Sequence, residues 1–247
     1  MMGAETLWLS FASILAGCVY GFSGFGAALI FMPLAVIVVE PQIAIAAMSV
    51  SALSSFVTLV PRAWGEADRR AALTMLGAAL VTIPIGQWIL LSSDTAPLRW
   101  AVSGIAFATL LLLLSGWRYH SRPGRAALLS VGGGVGLMGG ATGLNGPLVI
   151  LFQLGGPDEV ARTRANTILV LTFTGLAYLP FLAAHGALTR EGVLVGASQL
   201  VPYGAGALLG RRLFNPAWER TYRNVAYAII AAAAILGLPI WGSYAPE

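Results

Sequence analysis

The sequence has no lysine, one cysteine and two histidines, and charged residues make up only 10% of it. A soluble domain carries about 25% charged residues, so this chain cannot coat a water-facing surface. Cys18 alone excludes an intrachain disulfide framework or a cysteine metal cluster, and His120 and His185 are too few for an all-histidine site. No metal and no cofactor is therefore expected. The acidic residues (Glu5, Glu40, Glu66, Asp68, Asp94, Asp158, Glu159, Glu191, Glu219 and Glu247) all fall at ends or between apolar runs. That leaves no intramembrane carboxylate to coordinate a cation or relay protons. No His-Glu-Xaa-Xaa-His helix, buried Ser-His-Asp set or phosphate loop ending in lysine is present, so the chain is not expected to be an enzyme. The net charge of +4 rests on arginine and forms no basic face, which excludes nucleic acid as a partner.

What the sequence does have is apolar residues, 57% of its 247 positions, gathered in long runs. These runs are Leu7–Phe22, Ala27–Val39, Gln42–Val60, Ala71–Leu91, Leu98–Trp117, Ala126–Met138, Gly146–Leu154, Ala165–His185, Gly192–Leu209 and Tyr222–Trp241. The pattern defines an all-α polytopic membrane protein whose first partner is the lipid bilayer. Six of the runs have the 17–25 residues a crossing of the roughly 30 Å hydrocarbon core requires. At the helical rise, Ala27–Val39 reaches only about 20 Å and Gly146–Leu154 about 14 Å. Leu7–Phe22 and Ala27–Val39 are joined through Gly21-Phe22-Ser23-Gly24-Phe25-Gly26, and the second short pair through Gly139-Gly140-Ala141-Thr142-Gly143-Leu144-Asn145-Gly146. Both pairs read as broken helical hairpins with tips inside the membrane, either re-entrant, as their lengths favour, or two thin full spans, which arginine placement does not tell apart.

Arginine placement gives sidedness. Of the 14 arginines, all but Arg99 and Arg190 fall in four loops that a topology with returning hairpins places on one face. The positive-inside rule makes that face cytoplasmic and puts both termini outside. Trp8, Trp88, Trp100, Trp117 and Trp241 stand near run ends, with Trp64 and Trp218 in loops, as expected of headgroup-level indoles. The first residues lack a positive n-region and are expected to be retained.

Self-comparison reveals two halves offset by 118 to 119 positions. Gly21-Phe22-Ser23-Gly24-Phe25 aligns with Gly140-Ala141-Thr142-Gly143-Leu144, Ala47-Met48-Ser49-Val50 with Ala165-Asn166-Thr167-Ile168, and Pro84-Ile85-Gly86 with Pro202-Tyr203-Gly204. The chain divides into a first repeat (1–117), a cytoplasmic linker (118–125) and a second repeat (126–247). One broken pair plus three full crossings per half is an odd number, so the repeats are inverted, as in alternating-access transporters.

Inverted repeats bring the two breaks toward one axis, and a helix that starts inside the membrane offers unpaired N–H groups and about half a positive charge to an anion. Gly24, Gly26, Gly143, Asn145 and Gly146 are therefore the expected substrate site, with Asn145 as a helix cap and Pro147 in the first turn. Ser49, Asn166 and Thr167 are second-rank lining residues. Gln87 and Gln199 can either donate to an anion or glue helices together, while Arg164 reads more readily as a topology anchor than as a recruiter of anions. Gly17/Gly21, Gly192/Gly196 and Gly206/Gly210 have the spacing of tight helix packing.

The stretch Gly21-Phe22-Ser23-Gly24-Phe25-Gly26-Ala27-Ala28-Leu29-Ile30-Phe31-Met32-Pro33-Leu34 resembles the repeated signature of the TauE/SafE sulfite exporter family. Thr142-Gly143-Leu144-Asn145-Gly146-Pro147-Leu148-Val149-Ile150-Leu151 is similar to its Gly-Pro variant, and Arg162 to Thr167 to the segment that follows. The resemblance implies a permease of the bacterial cytoplasmic (inner) membrane that moves sulfite, a sulfonate or a related small anion, commonly outward. Any proton coupling would travel with a titrating substrate. The alternatives are a permease for another small solute and a non-transporting membrane subunit; a homo-oligomer is compatible with all of them.

Overall fold

The computed structural model describes residues 3–115, 124–155, 160–213 and 219–238, and these are helical with no strand among them. In order they form α1 (Gly3–Ser23), α2 (Ala27–Ala35), α3 (Pro41–Ser51), a 3₁₀ turn (Ala52–Ser54), α4 (Ser55–Thr58), α5 (Val60–Glu66), α6 (Arg69–Ser92) and α7 (Thr95–Leu114). The second half adds α8 (Arg125–Thr142), α9 (Gly146–Gly155), α10 (Val160–Ala184), α11 (Arg190–Leu213) and α12 (Glu219–Leu236). All but the last two residues of the linker lie outside the described residues.

Length and composition make six described segments competent to cross a membrane: Gly3–Ser23, Pro41–Thr58, Arg69–Ser92, Thr95–Leu114, Ala161–Ala184 and Arg190–Leu213. Val57, Leu7, Val81, Val201 and Trp88 are 82%, 74%, 73%, 78% and 65% exposed, an apolar girdle that only lipid can solvate. The chain is a polytopic, multi-pass membrane protein.

The structure revises three details. The first limbs of the broken pairs are long: α1 has 21 residues and α8 has 18, about 31 Å and 27 Å. Glycine does not stop α8 at Met138, because Gly139 and Gly140 lie against Tyr178 and the α6 backbone, where a side chain would collide. Only the returning limbs are short, with α2 at nine residues and α9 at ten. The run Gln42–Val60 is interrupted as well. Ser51 Oγ donates to Met48 O at 2.9 Å and Ser54 Oγ to Ser51 O at 2.8 Å, and this back-bonding accompanies the tight 3₁₀ turn and the kink at Leu59. Trp64 lies within α5, stacked under the Arg69 guanidinium at 5.4 Å, where the sequence suggested a loop.

The interfaces come in exchanged couples. α1 runs against α11 while α8 runs against α6; α3 meets α11 while α10 meets α6; α2 meets α12 while α9 meets α7. Under the sequence offset each pairing maps onto its counterpart. The two largest interfaces are made by absent side chains. A Cβ on Gly17 or Gly21 would overlap the carbonyls of Tyr203 or Ala207, and one on Gly206 or Gly210 those of Ile14 or Cys18. Gly132, Gly136 and Gly86 do the same between α6 and α8. Gly192 and Gly196 receive Ala46, Ala47 and Val50 of α3.

Candidate functional site

The two breaks converge on one cavity of about 40 Å³. Gly26, Ala27, Ala28 and Leu29 line it from the first break and Gly143, Asn145 and Gly146 from the second. α3 and the 3₁₀ turn add Ile45, Met48, Ser49 and Ala52; α10 adds Leu171, Thr172, Gly175 and Tyr178; Tyr20 and Tyr203 complete the wall. The volume suits a solute of a few non-hydrogen atoms, far below the roughly 300 Å³ at which pockets for organic ligands begin.

At the first break, Ser23 Oγ donates to Val19 O at 2.6 Å and accepts from the Phe25 N–H at 3.2 Å, turning the chain out of α1. Gly26 has φ 87°, a left-handed conformation that glycine adopts without strain, and α2 starts without a side-chain cap. The first backbone bond of α2 is Ile30 N–H to Gly26 O at 3.1 Å, so the N–H groups of Ala27, Ala28 and Leu29 precede the ladder. These residues are 4%, 7% and 0% exposed and wall the cavity. In so dry a setting the positive end of α2 is unscreened.

At the second break, Gly143 has φ 74° and closes α8 through its N–H to Gly139 O at 2.7 Å. A methyl group on Gly143 would stand 2.9 Å from Met32 Sδ and 3.0 Å from Ile45 Cγ1, so this tip touches the first half of the chain directly. Asn145 Nδ2 donates to Leu171 O and Thr174 Oγ1, both at 3.0 Å. A main-chain carbonyl can only accept, which fixes the amide orientation. Asn145 thus tethers the tip to α10, and its hydrogen bonds run there rather than to the first turn of α9 as a cap would require.

Of the residues singled out from sequence, Gly26, Gly143, Asn145, Gly146 and Ser49 surround the cavity. Gly24 does not: at φ 79° it folds over the stem of Arg164, whose Nη2 donates to Gly21 O at 2.6 Å. Asn166 Oδ1 accepts from the Asp68 N–H at 2.7 Å, binding the start of α6, and Thr167 Oγ1 donates to Thr163 O of its own helix at 2.8 Å. α10 faces the cavity further along, at Leu171, Thr172, Gly175 and Tyr178, because Asn166 and Thr167 lie at the level of the α6 start. Gln87 Nε2 joins α6 to α10 through Tyr178 O at 3.0 Å, so of the two roles open to it in the sequence it takes the helix-joining one.

Sequence reasoning missed the aromatic hydroxyls. Tyr20 OH lies 2.9 Å from Thr172 Oγ1 and 3.1 Å from Ile168 O, tying α1 to α10 beside the cavity. Tyr178 is 2% exposed, and its hydroxyl lies against Gly139 of α8 and shares a hydrogen bond with Thr174. The signal was available, since a tyrosine inside an apolar run needs a partner for its O–H.

The two asparagines separate site from scaffold. Asn145→Ala should release the second tip and weaken substrate binding about tenfold, the equivalent of one lost buried bond of roughly 1.4 kcal/mol. Asn166→Ala should cost about 1–2 kcal/mol of stability with substrate KM unchanged. Thermal unfolding and flux assays on both variants check this, and equal KM effects would contradict the placement.

Interrupted helices that meet at a small cavity lined by no charged side chain, within a bundle of membrane-length helices, are the arrangement of a membrane permease. The chain belongs to the Sulfite exporter TauE/SafE family, whose model matches residues 9–236. A similar curated protein, the "Probable sulfite/organosulfonate exporter TauE" of Cupriavidus necator, is 32% identical over 203 residues, covering 77% of this chain and 79% of that one. No solved structure matches the chain significantly. Family membership makes the protein a membrane permease for small anions.

Proposed function

We propose that the chain exports sulfite or a small sulfonate across the bacterial cytoplasmic membrane by alternating access, holding the anion between the first turns of α2 and α9. The observation that carries this is the cavity itself: two helix starts from opposite halves wall one small space. An anion there meets backbone N–H donors already in place, so little is lost in reorganising the site. The relative from Cupriavidus necator supplies the substrate class. The protein works as a transporter and not as an enzyme.

The exchanged helix interfaces support two inverted halves that rock about this site. On one side of the cavity Arg164 and Tyr20 fasten α1 to α10, and Arg211 Nη1 donates to Thr58 O at 2.6 Å nearby in the fold. Each arginine caps the carbonyl end of a helix. This arginine-rich side is the cytoplasmic face, and both termini lie outside. Opening toward the cytoplasm then requires the Arg164–Gly21 and Tyr20–Thr172 bonds to part.

Purified protein in proteoliposomes should move radiolabelled sulfite or methanesulfonate and be inhibited by the other. Absence of flux with both, together with no thermal stabilisation by either, would refute the reading. Arg164→Met should change the ratio of inward to outward flux while leaving the folded protein intact, as followed by initial rates in the two directions.

A further inference from the structure

Resting on the reading of this cavity as the anion site, we propose that it selects the charge state of its cargo: it carries a monoanion, hydrogensulfite or a singly charged sulfonate, and rejects the sulfite and sulfate dianions. The countercharge is what limits it. None of the residues that wall the cavity bears an ionisable acid, arginine or histidine. Arg164, at the foot of α1, donates to the Gly21 carbonyl and does not line the space. Within the wall itself the countercharge is the pair of helix starts, each worth about half a positive charge, roughly one charge in total, with the Arg164 guanidinium acting from outside it across Tyr20. A monoanion is neutralised by that pair. A dianion would leave one negative charge uncompensated among the apolar side chains of Leu29, Ile45, Met48 and Leu171.

A second observation points the same way. Ser49 and Thr172, buried hydroxyl residues 2% and 3% exposed, line the same space from α3 and α10. Hydroxyls both donate and accept. They can therefore bind the oxygen atoms of a monoanion and also take a hydrogen bond from the acidic hydrogen of hydrogensulfite, which an array of N–H donors alone cannot do. The proton is acquired from water before entry and given up after release, so it crosses on the substrate and the protein needs no titrating relay.

The test is flux through proteoliposomes at equal pH on both sides, scanned from one unit below to two units above the second ionisation of sulfurous acid. Sulfite flux at fixed subsaturating total concentration should fall about tenfold per pH unit above that ionisation, following the monoanion fraction, while methanesulfonate flux stays level. Sulfite flux that stays level or rises overturns the proposal and leaves the anion site standing. A parallel fall of both also overturns it, because a group on the protein would then be titrating. No flux with either substrate refutes the underlying function instead. Ser49→Ala should raise KM for both substrates without altering the sulfite slope; an unchanged KM for both overturns the part of the proposal in which wall hydroxyls bind the cargo.

Discussion

Gly143→Val should abolish most transport, whereas Gly186→Val should not. Both glycines have positive φ, 74° and 68°, and a β-branched residue is strained there by about 1–2 kcal/mol. Only their surroundings differ. A Cβ on Gly186 meets nothing within 4 Å, whereas on Gly143 it comes within 2.9 Å of Met32 and 3.0 Å of Ile45. Valine at 143 must push the second tip away from α2 and α3, separating the two helix starts that face the anion. The strain is common to both variants, so the displaced tip is what lowers affinity at Gly143, by more than about tenfold. Gly186→Val should lower thermal stability slightly and leave KM unchanged. Equal flux in the two variants would mean that the second break does not form the site.

Gly17→Leu should prevent the folded protein from accumulating. In α1 this position touches the Tyr203 carbonyl and the Ala207 amide of α11 with no room for a methyl group, and Gly21, Gly206 and Gly210 continue the same seam. A leucine forces two backbones apart along the whole interface, so the loss should reach about 3 kcal/mol or more. In a detergent melting assay that corresponds to a fall of roughly 6–12 °C in Tm. Gly104→Leu on α7, where a Cβ meets nothing within 4 Å, is the matched control and should be tolerated. A Gly17→Leu protein that melts with the wild type would contradict the close helix approach.

Much of this architecture was legible because membrane solvation leaves the chain few choices. An apolar run must be helical, and the structure places helices on every run that lies within the described residues. The glycine breaks were legible too, since Gly26 and Gly143 adopt the left-handed backbone that glycine permits. Periodicity could not tell which glycines end a helix and which merely let two helices touch. Gly139 and Gly140 belong to the second kind, a distinction set by Tyr178 and Ile83 on other helices. Asn145 and Asn166 look alike in sequence, yet one binds α10 beside the cavity and the other the start of α6. The tyrosines were hidden in plain apolar context, because only the fold reveals that Tyr20, Tyr178 and Tyr203 face one point.

The central claim is that an anion sits between the first turns of α2 and α9. Locating selenite, an electron-rich analogue of sulfite, by anomalous diffraction from crystals of the protein tests it most directly. The account predicts a peak within hydrogen-bond reach of the Ala28 and Gly146 amides, lost in Gly143→Val. A peak confined to the arginine-rich face, with the cavity between the breaks left without selenium at saturating concentration, would contradict it.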